Sequence, residues 1–381
     1  MLLLGWAPPQ RHDCPRLRRE AVPQLGRQPA GAAAWVGAAS AARLPAATRA
    51  TVARLSAAPY EAAARLSAAP YQAAARPPAA RAETPVALRQ LCGVLLFACC
   101  SVGGSVSIAP VLSTGALRAH LLAARLAGTV ATSREESLRS YRLFAARDPR
   151  VLIGLDPEWA WEQRDLIALM ADKCGVSGDP GHTTGHDVID PERTLAALDA
   201  FAARLAAVAE RGATVLLGTG HPHRLLGFYA ALADALSAAG CTVLTPAQGH
   251  CVDITTRFGL RTYNLDYVRG VALVREPGEL SSGRATGVHT HSPLPVRAVL
   301  AAAAERGAGL PELVIGDHGW VCGAGQLGFE AIGLADTDDP ALFVGEAEGV
   351  VSVVVPLDDA VRSDYYRPLT RYVLNRACLS Q

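Results

Sequence analysis

TVLLGTGHPHRLLGFYAALADALSAAGCTVLT, residues 214–245, decides the fold. An apolar run, TVLLG, meets a Gly-rich turn, and residues 223–239 then carry apolar side chains at helical spacing. CTVLT (241–245) is a second apolar run. Two such runs joined by a helix make a βαβ unit, whose strands must lie parallel and be covered on both faces.

The same alternation extends in both directions. Downstream, ELVIG (312–316), AIGLA (331–335) and VVSVVVP (350–356) read as strands, with helices at 295–306, 322–331, 340–347 and 362–378. RTYNLDYVRGVALV (261–274) reads as a strand or hairpin. Upstream, VLIGL (151–155) reads as a buried strand ending at Asp156. Helices are expected at 115–127, 133–147 (opened by Ser133 as N-cap), 159–172 and 191–210, the last with Asp190 as N-cap and Pro191 in its first turn. Residues 113–381 are therefore predicted to form an α/β, Rossmann-like three-layer domain with a mainly parallel sheet.

The first 112 residues differ in kind. They are rich in Ala, Arg and Pro, carry a near-duplicate (ARLSAAPYEAA then ARLSAAPYQAA), and are predicted to be disordered. An uncharged run between Arg89 and Arg118 meets the length of a membrane span, yet it is rich in Gly and Ser and contains Pro110. A membrane anchor at 90–117, a cleaved signal, and upstream sequence translated from an early start codon all fit. The third is the reading adopted, since no Met lies between Met1 and Met170.

Over the whole chain 50% of residues are hydrophobic and 19% charged, with a net charge of +1. That balance supplies no global field for nucleic acid or an anionic membrane, and the domain has no basic stripe with interleaved aromatics. Nine Cys without any CxxC pair suggest reduced thiols in a cytoplasm. Nothing in the pattern specifies an oligomeric state.

In open α/β sheets ligands bind beyond the carboxyl ends of the strands. Asp156-Pro157-Glu158, Thr219-Gly220-His221, Asp317-His318-Gly319 and Asp336-Thr337-Asp338-Asp339 each follow a predicted strand. GTGHP can present backbone N–H groups and a helix N-terminus to an anion, or be no more than a tight turn. Asp317 can bind a metal or cap the next helix. Lys173, the single lysine of the chain, lies in DKCGVSGDPGHTTGHD, a loop that could set it on phosphate and Asp179 on a divalent cation, or could be solvated surface. His289 and His291 flank Thr290, on one side of an extended segment; two His alone do not make a zinc site.

The segments GTGHPHRLLGFYAALADALSAAGC, IGDHGWVCGAGQLGFEAIGLADTDDPALFVGEAEG and YYRPLTRYVLNRACLSQ resemble a family of actinobacterial phosphatases with little biochemical definition, the likeness reaching back to about Ser113. A weaker likeness is to the haloacid-dehalogenase-type phosphatases, which place an Asp after the first strand, a Thr or Ser after a second and a GD pair after a later one. Asp156, Thr219 and Asp317 fall in that order. Glu158 stands where a second Asp belongs, and no Lys precedes GDHGW.

The resemblance implies a cytoplasmic phosphatase acting on a small phosphorylated metabolite with Mg²⁺. Asp156, His221 and Asp317 would be catalytic, His221 as acid and base. Lys173, Thr219 and Gly220 would bind phosphate, and Asp317, with Asp156 or Asp179, would hold the metal. The alternative is a binding module that holds a nucleotide or sugar phosphate without turnover.

Overall fold

The computed structural model describes residues 112–278, 287–307 and 309–379. The leader expected to be disordered, and all but the last residues of the run at 90–117, lie outside them. Thr114–Ala123 is helix α1, capped by the Ser113 hydroxyl, so the end of that run belongs to a helix of the domain. Among the described residues no helix is long and apolar enough to cross a membrane.

Among the described residues the main sheet has eight strands. Parallel strands β10 (Val353–Pro356), β9 (Ala331–Ala335), β8 (Leu313–Asp317), β3 (Thr214–Gly218) and β7 (Val271–Arg275) lie side by side in that order. Antiparallel β6 (Gly259–Val268) and β5 (Cys251–Thr256) extend the β7 side as a meander, and short β4 (Thr242–Val243) pairs with the start of β3. The expected hairpin at 261–274 is therefore present, and β5 adds a strand that the sequence pattern did not reveal.

Alternate residues of the parallel strands enter opposite cores, which makes three layers. Val215, Leu217, Ile315, Leu334 and Val355 pack on one face against α1, Pro191–Glu210 (α5), Pro222–Ala238 (α6) and Arg367–Arg376 (α10). Leu216, Val314, Ala331 and Val354 pack on the other face against Arg134–Ala145 (α2), Gln163–Cys174 (α4), Leu294–Glu305 (α7), His318–Gly325 (α8) and Pro340–Ala347 (α9). Each buried aliphatic side chain contributes about 1.5–3 kcal/mol, so the two cores drive the folding. Helix α8 is buried along its whole length. It fits because Gly218, Gly316 and Gly333 line up on adjacent strands. A Cβ on Gly218 would lie 2.2 Å from the Trp320 ring, and one on Gly333 2.6 Å from Val321.

One strand assignment needs correction. VLIGL is not a strand: Pro149–Leu152 forms a single helical turn (α3), and Ile153 and Gly154 follow with positive φ. Asp148 caps that turn by accepting from the Arg150 amide at 3.0 Å, and Pro149 takes the first helical position. A short apolar run cannot be told from a buried helical turn by periodicity alone, and the cap decided it. The first strands are instead β1 (Gly128–Ser133) and β2 (His186–Ile189), an antiparallel pair apart from the main sheet.

The chain leaves β3 through α6 for β4 on one side, then returns to β8 on the other. The strand order thus reverses between β3 and β8, and their carboxyl ends open the crevice in which α/β sheets bind ligands.

Candidate active site at the strand ends

Asp317, the last residue of β8, sits in that crevice fully buried. Its carboxylate bridges to the neighbouring strand end. Oδ2 accepts from the Thr219 hydroxyl at 2.6 Å, and Oδ1 accepts from the Gly220 amide. The Thr219 oxygen in turn accepts from the His221 amide at 3.0 Å. A buried carboxylate is costly unless hydrogen-bonded, and here the bonds tie β3 to β8. Burial pushes the Asp317 pKa up, and His318, Thr219, Gly220 and His221 pull against it.

Four imidazoles gather beside this bracket. His221 follows β3 and opens α6, and His318 follows β8 with φ +44°. His289 and His291 come from the extended segment after β7. That segment is held by the Thr290 amide donating to the Gly220 carbonyl at 2.9 Å and the Val288 amide donating to Val274 at 2.8 Å. His221 stacks on His289 with ring centroids 4.3 Å apart, and His291 stacks on His318 at 4.1 Å. His289 Nε2 and His291 Nε2 are 3.1 Å apart.

Two carboxylates complete the cluster from the ends of β9 and β10. His318 Nε2 lies 3.2 Å from Asp339 Oδ2 and 3.3 Å from Asp359 Oδ2. His221 Nδ1 lies 3.4 Å from Asp359 Oδ1, and His291 Nδ1 lies 3.9 Å from Asp339 Oδ1. Strand β1 closes the outer side. The Thr132 hydroxyl donates to Asp336, and the Ala131 amide to Asp358 Oδ2 at 2.8 Å.

The electrostatics divide the imidazoles. Burial in the cluster, reinforced by the other imidazoles, lowers His289 to about 3 and His291 to about 4. Burial alone would also lower His318, but Asp339, Asp359 and Asp317 hold it well above its ordinary value. Burial would raise Asp359, yet the His221 and His318 imidazoles facing it hold it below the usual carboxylate range. Asp338 is driven up to about 8 by burial and by Asp339 and Asp359.

The buried atoms His221 Nδ1, His318 Nδ1 and Asp359 Oδ2 make no hydrogen bond of adequate geometry. Buried polar atoms are nearly always satisfied, and exceptions mark a bound water, an ion or a catalytic role. Two overlapping donor groups, His221–His289–His318 and His291–His318–Asp339, each hold their ligand atoms within 4.8 Å of one another and could take a metal.

Of the residues expected from sequence, the fold brings Thr219, Gly220, His221 and Asp317 together here. It carries three elsewhere. Asp156 follows the helical turn, not a strand, and its exposed carboxylate pairs with Arg147 at 2.6 Å. The position that the dehalogenase pattern gives its Asp is thus not filled by Asp156. Lys173 ends α4 and pairs with Glu346 at 2.6 Å, in a hollow shared with Asp172, Arg193 and Phe343. Asp179 is exposed and accepts from the Gly181 amide at 2.8 Å.

The loop after α4, which holds Asp179, is organised by a buried arginine. Arg134 reaches the carbonyls of Ser177 and His182 and pairs with Asp187 at 3.4 Å. His289, His291, His318, Asp339 and Asp359 were not among the expected site residues. The HTH spacing, the His after Asp317 and the paired acids at 338–339 and 358–359 were the available signals.

Comparison with known proteins accords with a hydrolytic site. Residues 112–381 match a family model described as Phosphatase. The chain is also similar to Phosphatase SCO2771 of Streptomyces coelicolor, at 43% identity over 269 residues, covering 70% of this chain and 97% of that protein. The matched span is the domain whose strand ends carry the His and Asp cluster: the chain belongs to the Phosphatase family and is a phosphatase.

Proposed function

We propose that the chain hydrolyses the phosphomonoester of a small metabolite at the strand-end cluster, with a divalent cation assisting. The observation that carries this reading is the convergence of four imidazoles and buried carboxylates on the point where the strand order reverses. In the reaction a water oxygen bonds to phosphorus, the ester P–O bond breaks, and the leaving oxygen takes a proton. Bound there, a cation would neutralise charge on the phosphoryl oxygens.

The chain's own residues divide the work. Asp317 consumes the Thr219 hydroxyl and the Gly220 amide, so these two position the turn that presents His221. His318 is fixed between Asp339 and Asp359, and His289 is the solvent-facing member of the group. The cluster lies at buried strand ends, which favours a phosphate on a small flexible molecule over one on a folded macromolecule. Asp156, Lys173 and Asp179 have no part in this reading. A cytoplasmic location is supported by the described cysteines 174, 241, 251, 322 and 378, all free thiols.

Phosphate release from a panel of phosphomonoesters, with and without chelator, tests the proposal. We expect release from a subset of the panel, a fall of at least about 10²-fold on chelation, and recovery on adding back metal. Release that is indifferent to chelation would remove the cation; no release from any ester would remove the proposed reaction.

Gly220→Ala probes positioning without touching a donor side chain. The added Cβ would lie 2.2 Å from the Thr290 carbonyl oxygen and 3.0 Å from His318 Nδ1. The His289–His291 segment must shift, and a displacement near 1 Å costs about 10²-fold in rate. We expect kcat/KM to fall by about that factor with the circular dichroism unchanged.

A further inference from the structure

We propose that the cluster is a binuclear centre for first-row transition metals of the zinc, manganese and iron class, ligated by His221, His289, His291, His318, Asp339 and Asp359. The inference rests on the reading of this cluster as the reaction centre, and it replaces the magnesium suggested by resemblance.

Donor chemistry comes first. Four imidazoles are a poor match for Mg²⁺, which takes oxygen ligands in near-ideal octahedra, whereas imidazole suits zinc and iron and mixed imidazole–carboxylate sets suit manganese. Spacing agrees. Ligands bound at about 2.0–2.1 Å around a tetrahedral ion lie about 3.3 Å from one another. The separations found are 3.2 Å for His318–Asp339, 3.3 Å for His318–Asp359 and 3.4 Å for His221–Asp359. These exceed good hydrogen-bond lengths between charged groups and match the edges of a coordination polyhedron.

The number of donors argues for two ions. A catalytic zinc uses about three protein ligands and keeps a position open, and six converge here. The two donor groups overlap at His318, whose one ligand atom can complete only one of them, so His291, His318 and Asp339 would hold one ion and His221, His289 and Asp359 the other. Asp359 reaches both His221 and His318, as a carboxylate bridging two ions would.

Unpaired atoms supply an independent indication. His318 is 2% exposed and Asp359 6%, yet His318 Nδ1 and Asp359 Oδ2 have no hydrogen-bond partner. Asp317 stays outside the ligand set. Its oxygens serve Thr219 and Gly220.

The test uses the full chain, purified without added metal or chelator, and reads metal content by elemental mass spectrometry. Two equivalents of zinc, manganese or iron per chain are expected, with no stoichiometric magnesium. Chelator-stripped protein should take up two equivalents of Co²⁺ in the presence of millimolar Mg²⁺. His289→Asn, at the solvent-facing edge, should reduce uptake from two equivalents towards one, and His291→Asn should do the same. No uptake by stripped wild-type protein, a limit of one equivalent, or both variants binding two equivalents overturns the proposal. Phosphate release by metal-free protein would remove the centre and leave the hydrolysis standing. Two bound equivalents with no release from any ester would do the reverse.

Discussion

His318→Asn is expected to lower kcat/KM for phosphate release by at least about 10³-fold while the chain still folds. His318 sits at the junction of the cluster, 3.2 Å from Asp339 and 3.3 Å from Asp359, with its ring stacked on His291. Losing a single preorganised electrostatic group at a reaction centre costs about 10²–10³-fold, and this group belongs to both donor sets. Asparagine is the informative replacement because it tolerates the φ of +44° that position 318 adopts, so the backbone between β8 and α8 is spared. The variant leaves Asp339 and Asp359 facing each other without the imidazole between them, so a lower melting temperature should accompany the kinetic loss. Steady-state kinetics on a responsive ester, with near-ultraviolet circular dichroism as the folding control, checks both. A kcat/KM within tenfold of wild type would remove His318 from the centre.

Arg134→Met is expected to cost about 3–5 kcal/mol of stability, the range for breaking a buried ion pair by deleting one partner. The Arg134 side chain is fully buried, and that of Asp187 is 1% exposed. The guanidinium also donates to the carbonyls of His182 and Ser177 at 3.1 and 2.7 Å. Methionine fills much of the volume but returns none of these bonds, and it strands the Asp187 carboxylate, whose Oδ2 already has no hydrogen-bond partner. The Ser177–Asp187 loop should come loose with β2, whose strand includes Asp187. Urea unfolding of the two proteins measures the difference. A loss below about 1 kcal/mol would show that the loop holds itself without the arginine.

These two residues mark the limit of what the linear pattern disclosed. Arg134 follows Ser133, whose capping box with Glu136 was readable as a helix start, but nothing local distinguishes a buried arginine from the many exposed ones. The loop it anchors attracted notice through Lys173 and Asp179. In the fold both lie away from the strand-end cluster, Lys173 paired with Glu346 and Asp179 accepting from a neighbouring amide. VLIGL misled for a related reason: apolar composition sets burial, while the Asp148 cap and Pro149 set the backbone.

The alternation of apolar runs and helices determined by itself that this chain forms a parallel-sheet α/β domain, because those periods bury both sheet faces in one way only. It also determined that Thr219, Gly220, His221 and Asp317 stand at strand ends. Which strand ends meet was decided by tertiary structure. Order 10-9-8-3-7 sets β8 beside β3 and lets Asp317 bond Thr219, and it draws Asp339 and Asp359 towards His318. The close approach of the His289–His291 segment likewise depends on Gly220 having no Cβ, a contact between residues about 70 positions apart. Spacing along a chain reports only local geometry, and this centre is assembled from four strand ends and an extended segment that meet through non-local pairing.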